Sequence, residues 1–386
     1  MRRTPGLRPL AAWPYLRAMT HPRYTPLVQS LPASVPFIGP EELERERGAA
    51  FTARLGANEN LFGPSPHAVR AMQEAAREVW MYPDATSHDL RCTLARLLEC
   101  GARNIVVGEG IDGLLGNLVR LLVAPGDTVV TSDGAYPTFN YHVAGFGGAL
   151  HKVPYKDDHE DLDALIDRAR QIGAKLIYLA NPDNPMGTWL PGKRIAQALD
   201  HLPRGCLLCL DEAYIEFAPC EAQAPIAPDD PRVIRMRTFS KAYGMAGARI
   251  GYALGAAPLI ASFDRIRNHF GVNRIAQAGA VAALHDTAWL DETRAKVDRA
   301  RTEIIRITRE NGLIALPSAA NFVAVDCGSD GAFARRVLEE LLKRGVFVRM
   351  PFVAPQDRCI RISCGRASDL ATLAGALPDA LADARR

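Results

Sequence analysis

The chain has 386 residues, 48% hydrophobic and 23% charged, an ordinary globular composition that can bury a large core and suggests more than one lobe. Its 46 basic and 43 acidic residues leave a net charge of +3, too small a surplus for a nucleic-acid footprint, and no apolar run approaches the roughly 18 residues of a membrane span. The eight cysteines are scattered. The one close pair, Cys206 and Cys209, lies in the apolar run "CLLCL" and reads as buried thiols in a reducing cytoplasm rather than a metal or redox site.

The N-terminal "MRRTPGLRPLAAWPYLRAM" carries arginines, but prolines and Arg17 interrupt any apolar core of a leader. It reads as an extension, or as a start placed too early with Met19 the true one. Ser65 before Pro66 makes a cap and first turn for a helix over "HAVRAMQEAAREV". From there strands and helices alternate. "NIVVG" precedes the helical spacing of "IDGLLGNLVRLLV", "DTVVTSD" is a strand, "YPTFNYHVAGFG" a helix and "ALHKVPY" a strand. The amphipathic "LDALIDRARQI", the apolar "AKLIYLA", the helix "KRIAQALDHL" and the strands "CLLCLDEAY", "VIRMRTFS" and "RIGYALG" follow. Continuously apolar strands separated by helices predict an α/β fold with a mostly parallel sheet covered on both faces. After about residue 285 come long charged helices, then "NFVAVD", "LEELLKRG", "VFVRM", "CIRISCG" and a last helix, the pattern of a smaller α+β lobe. The expected division is an N-terminal extension and arm over 1–57, a large domain over 58–287 and a small domain over 288–386.

In such sheets ligands gather at the carboxyl ends of the strands, and there the chemically useful residues stand. Lys241 follows a strand in "TFSKAYGMAG", among Thr238, Ser240 and Gly244, with Arg249 eight residues on. It is either a structural lysine or an amine held near cations in a partly dry pocket, able to form a Schiff base with an aldehyde. Asp211 ends an apolar strand, where a carboxylate is either a cap, half of a salt bridge, or the partner of a protonated ring nitrogen. Tyr214 lies three residues on. In the turn "NPDNPMG", Asn184 could offer its amide to a phenolic oxygen, and Phe139 is either core or a stacking plate. "GEGIDG" joins a strand to a helix, leaving amides near Glu109, Gly110 and Ile111 for an anion. Arg249, between small residues, suits an anion brought close to the backbone. Arg349 and Arg361, on neighbouring strands, suggest a planar fork for a carboxylate or phosphate.

Taken together and in this order, these residues resemble the fold-type I pyridoxal-phosphate aminotransferases, and within them the histidinol-phosphate aminotransferase group. The resemblance covers roughly residues 50–385 and rests on "GANENLFGPSP", "NPDNPMG", "DEAYIEF", "TFSKAYGMAG" and "CIRISCG". It implies a seven-stranded sheet, pyridoxal 5'-phosphate as cofactor, and a cytoplasmic homodimer acting on a small-molecule amino donor and a 2-oxo acid. Lys241 would hold the cofactor aldehyde and then move the proton. Asp211 would pair with the ring nitrogen, and Asn184 and Tyr214 would bind the phenolic oxygen. Phe139 would stack on the ring, where the group usually has a tyrosine. Thr238, Ser240 and Arg249, with the amides of Glu109, Gly110 and Ile111, would hold the phosphate, joined by Tyr82 from the neighbouring subunit. Arg361, Arg349 and Asn58 would hold the substrate.

Two departures bear on the donor. Phe37 stands where the group often has a tyrosine that helps hold the substrate phosphate, and Met350 and Pro351 follow Arg349 where an aspartate is usual. Both make the substrate pocket more apolar and lean the expectation toward an ordinary α-amino acid, aromatic or aliphatic, over histidinol phosphate. Histidinol-phosphate transamination proper and a decarboxylase or lyase on the same fold are the alternative readings. A non-catalytic effector-sensing domain is the most distant one, since the proline-rich first 50 residues offer no paired helices for a DNA-binding module.

Overall fold

In the computed structural model the described residues are 22–32 and 38–386. Phe37 and the sequence up to Met19 lie outside them. Residues 1–34 and 35–386 separate as two units. In the first, the described part is a short helix, Pro26–Ser30, whose first turn is capped by Thr25.

Within residues 35–386, β1 is Ala53–Arg54 and the central sheet has seven strands. They are β2 (Ile105–Gly108), β3 (Thr128–Ser132), β4 (Ala149–Val153), β5 (Leu176–Ala180), β6 (Leu207–Asp211), β7 (Val233–Thr238) and β8 (Gly251–Gly255), in the order β2-β8-β7-β6-β5-β3-β4. β8 alone runs against its neighbours β2 and β7, and the remaining pairs are parallel. The expected mostly parallel sheet is present. Every residue of β5 and β6 is buried, as helices on both faces require. The crossover helices begin and end where local chemistry dictates. Ser65 accepts from the amides of His67 and Ala68 at the start of Pro66–Ala75, and Asp161 caps Leu162–Ile172, which Gly173 stops in the left-handed region at φ 63°.

β7 departs from the continuous apolar pattern. Ile234 and Met236 are fully buried, while Arg235 and Arg237 face the other way and meet Glu212, which lies just past β6. Arg235 donates to both Glu212 oxygens (2.8 and 3.0 Å) and Arg237 to one at 2.8 Å. Burial pushes the Glu212 carboxyl up, but the two arginines outweigh it and hold it below its ordinary value.

The later part of the chain builds a second layer. β9 (Ile314–Ala315), β10 (Phe322–Asp326) and β12 (Cys359–Ser363) form a three-stranded antiparallel sheet with β10 central. β11 (Val346–Phe347) instead pairs in parallel with β1, so the segment ahead of residue 57 is stitched to this layer. Beyond β11, an isolated antiparallel bridge sets Arg349 opposite Arg361. The helices Thr287–Glu310, Gly331–Lys343 and Ala367–Ala384 enclose the layer's core, which includes Phe322, Val337, Ile360 and Leu373.

One loop ties the layers together. The Gly244 amide donates to the Lys241 carbonyl at 3.1 Å, and Gly244 has φ 69°. A Cβ there would sit 2.5 Å from the Gly63 carbonyl group. A left-handed residue costs about 1–2 kcal/mol without glycine's freedom and overpacking about 1–3. Gly244→Ala should therefore destabilise the protein by roughly 2–5 kcal/mol in denaturant titrations. Gly247→Ala three residues on, where a Cβ meets nothing within 4 Å, should stay within about 0.5 kcal/mol of the parent.

Candidate active site

A cavity of about 430 Å³ opens at the carboxyl ends of β5, β6 and β7, between the central sheet and the second layer. Of the residues singled out from sequence, Lys241, Asp211, Tyr214, Asn184, Thr238, Ser240, Arg249, Ile111, Asn58, Arg349 and Arg361 all line it. Glu109 and Gly110 form the first turn of the helix Gly110–Leu122 beside it but do not line it. Tyr82 does not line its own chain's cavity; it is 77% exposed, its ring 4.8 Å from that of Phe270.

The floor is Asp211, at the end of β6 and 5% exposed. Its Oδ2 accepts from the Tyr178 hydroxyl at 2.7 Å and its Oδ1 from the Ala213 amide at 2.9 Å. Burial pushes the carboxyl up to about 6, against the pull of those two donors, and the nearby Asp112 and Glu212 push the same way. Such a carboxylate is completed by a cation brought into the cavity.

On one side of Asp211, Tyr214 presents its hydroxyl to two amides, accepting from Asn58 Nδ2 at 3.1 Å and Asn184 Nδ2 at 3.5 Å. Lys241 Nζ lies 5.5 Å from the Tyr214 ring centroid and donates to the Asn58 carbonyl at 3.0 Å. Asn58 itself is buried with φ 54°. Its amide donates to Ser363 Oγ at 3.0 Å, and its carbonyl also accepts from Asn321 at 3.1 Å.

Next to Lys241, Thr238 and Ser240 share a hydrogen bond at 2.9 Å. Arg249 reaches the Ser240 hydroxyl at 3.5 Å and lies 3.6 Å from Asp112. Its guanidinium rests on Gly110, where a Cβ would come within 2.6 Å of Nη2. Gly110 has φ 76°, so both its conformation and this close approach require glycine. Hydroxyls, a guanidinium and the start of a 13-residue helix form a cradle for a tetrahedral anion.

The outer wall holds the arginine pair. The Arg361 amide donates to the Arg349 carbonyl at 2.6 Å, and the Arg349 amide to the Arg361 carbonyl at 3.3 Å, so both side chains leave the same face. Arg361 Nη1 donates to Asn184 Oδ1 at 2.5 Å, with its guanidinium carbon 5.2 Å from the Phe322 ring centroid. Burial brings the Arg361 guanidinium down to about 10; Tyr214 opposes this and Arg349 adds to it. Arg349 is lowered by burial too, and its Nη2 donates to the Ile38 carbonyl at 2.6 Å. Met350 and Pro351 line this wall with Phe352.

The structure corrects the stacking plate. Phe139 is fully buried and stacks on Tyr178 with ring centroids 4.6 Å apart, away from the cavity. Tyr136 lines the cavity instead, its hydroxyl 2.8 Å from Asp112. Tyr136 is the non-helical residue just before the helix Pro137–Gly145, so it stands clear of the turn that carries Phe139 inward. Sequence reasoning also missed Asp112 and Tyr178. "AYP" directly after a strand end was the available signal for Tyr136; nothing local marked the other two.

Amine, buried carboxylate, paired amide donors, anion cradle and aromatic wall fit a planar heteroaromatic aldehyde that carries a phosphate. The family described as aminotransferase class I and II matches residues 52–377. The chain is 38% identical over 336 residues to a histidinol-phosphate aminotransferase of an Anaeromyxobacter species, covering 85% of this chain and 90% of that one. It is 34% identical over 367 residues to that of Moorella thermoacetica, covering 94% of each. The crystal structure of histidinol-phosphate aminotransferase from Sinorhizobium meliloti in complex with pyridoxal-5'-phosphate superposes with a TM-score of 0.92 at 52% identity, covering 95% of this chain and 99% of that one. The chain thus belongs to the class I and II aminotransferases, as a fold-type I transaminase whose cofactor is pyridoxal 5'-phosphate.

Proposed function

We propose that this aminotransferase takes its amino group from histidinol phosphate, or a close amino-alcohol phosphate, and passes it to a 2-oxo acid such as 2-oxoglutarate, working as a cytoplasmic homodimer. The observation that carries the donor is the Arg349–Arg361 bridge, which turns two guanidinium groups onto one wall of the cavity. Two cations suit a phosphate dianion better than a single carboxylate. The names of the relatives at 34–52% identity support the same donor. The apolar rim of Met350, Pro351 and Phe352 favours a second reading, an aromatic α-amino acid.

Pyridoxal phosphate, when bound, supplies an electron sink for the charge left as a Cα proton departs. In this reading Lys241 Nζ carries that proton, steered by the Asn58 carbonyl it already bonds. Asp211 sets its negative charge against the ring nitrogen, and Tyr214 and Asn184 hold the phenolic oxygen. Tyr136 supplies the ring plate, and Thr238, Ser240, Arg249 and the first amides of Gly110–Leu122 hold the phosphate. Residues 58–287 act as the cofactor-binding domain and 288–386 as the small domain, a division supported by the pairing of β1 with β11. An exposed apolar strip of Val79, Trp80 and Tyr82, with Phe270 against Tyr82, supports the dimer. Tyr82 would there reach the partner's phosphate cradle.

Borohydride treatment of the cofactor-loaded protein should leave the cofactor's mass on Lys241 in a peptide digest, and Lys241→Ala should lose that adduct. An adduct on another lysine overturns the assignment.

The donor is tested by comparing kcat/KM for histidinol phosphate with phenylalanine, tyrosine, histidine and leucine, with 2-oxoglutarate as acceptor. Histidinol phosphate should lead by more than about tenfold, a gap of about 1.4 kcal/mol; phenylalanine or tyrosine in front would favour the second reading. Arg361→Ala should lower kcat/KM for the donor by about 30- to 4,000-fold, the effect of removing one partner of a buried charge pair. Cofactor affinity should change little.

Mixed dimers of Tyr82→Ala and Lys241→Ala chains should regain activity that neither parent has, because one of the two shared sites is then intact. Absence of recovery in stable mixed dimers counts against a crossing Tyr82.

A further inference from the structure

We propose that Tyr178 is a positioning residue for Asp211, its hydroxyl fixing the carboxylate for the cofactor's ring nitrogen; this rests on the role proposed above for Asp211. The register of β5 against β6 pairs Ala180 with Asp211 and sets Tyr178 one repeat back on the same sheet face. From there the Tyr178 hydroxyl reaches Asp211 Oδ2 at 2.7 Å. The ring is fully buried and pinned by its stack on Phe139, with an interplanar angle of 18°. The hydroxyl is therefore held, and so is the oxygen that it contacts.

The electrostatics give this bond more than a packing role. Asp211 is buried, and the acidic Asp112 and Glu212 oppose its charge along with that burial. Hydrogen bonds to the charged form are what oppose burial and like charge, and the two recorded are those from Tyr178 and the Ala213 amide. The amide comes from Asp211's own turn. Tyr178 is thus the side chain that aims and charges the carboxylate before the cofactor arrives.

Tyr178→Phe removes the hydroxyl and keeps the ring and its stack. The test is a cycle that pairs parent and Tyr178→Phe apoproteins with pyridoxal phosphate and with its 1-deaza analogue, in which carbon replaces the ring nitrogen. Losing a hydrogen bond to a charged group should weaken pyridoxal phosphate binding by about tenfold or more. The deaza analogue, which gives Asp211 nothing to meet, should change by less than about threefold. In the loaded enzyme kcat should fall by about tenfold or more while the donor KM moves less than about twofold. Equal losses for both cofactors, or no loss, overturn the proposal. Phe139→Leu, which disturbs the stack and leaves the hydroxyl, must not reproduce the discrimination; if it does, the effect is packing and the proposal fails. Asp211→Asn separates the underlying reading. If that variant weakens both cofactors equally, the ring-nitrogen role of Asp211 is wrong. If it discriminates and Tyr178→Phe does not, only the role of Tyr178 falls.

Discussion

The site depends first on Asn58. This one residue sits on the segment ahead of the central sheet and bonds to both layers at once. Its carbonyl takes the Lys241 amine and the Asn321 amide, its side chain reaches Tyr214, and its own amide reaches Ser363 at the end of β12. A left-handed backbone at a non-glycine residue is costly. Asparagine is among the residues that tolerate it best, and here the strain is held by five hydrogen bonds in a buried setting. Moving Asn58 would shift the amine, the phenol and the second layer together.

Behind the cavity, two buried acids are held chiefly by hydrogen bonds from hydroxyls and amides. Asp183 accepts from Tyr155 and from the Met186 amide, both at 2.9 Å, and burial pushes it up to about 6. Glu160 accepts from Ser132 at 2.6 Å and the Ala180 amide at 2.8 Å, and burial raises it as well. These bonds fasten the turn over 181–187 to the sheet and so fix Asn184, which Arg361 and Tyr214 both use. Glu212 solves the same problem with two arginines. The contrast has a functional reading. Glu212 is closed by two arginines of its own chain, whereas Asp211 makes no ion pair among the described residues and faces the cavity.

The cavity lining carries positive charge in two places. Arg249 rests on the helix start at Gly110, beside Ser240 and Asp112, and Arg349 and Arg361 stand together on the bridged wall. In the proposed reading, the Arg249 cradle holds the cofactor's phosphate and the Arg349–Arg361 pair the substrate's anionic group.

Much of this was legible in the chain. Continuous apolar runs such as 176–180 and 207–211 specified buried parallel strands, since only helices on both faces can cover them. Sheet polarity placed Asn184, Asp211 and Lys241 at one edge, and the resemblance of five motifs to a known family implied the chemistry. Other features had no local signature. Tyr136 and Phe139 are equally aromatic and three residues apart; the phase of one helix start sends the first to the cavity and the second to the core. Tyr178 looks like any strand tyrosine until the register of β5 on β6 brings its hydroxyl to a carboxylate 33 residues away. Arg361 meets Asn184 across 177 residues. Local sequence determines which elements form and which residue types end them. Which of those residues touch is decided by packing between distant segments, where a rotation of one residue exchanges a cavity wall for a core.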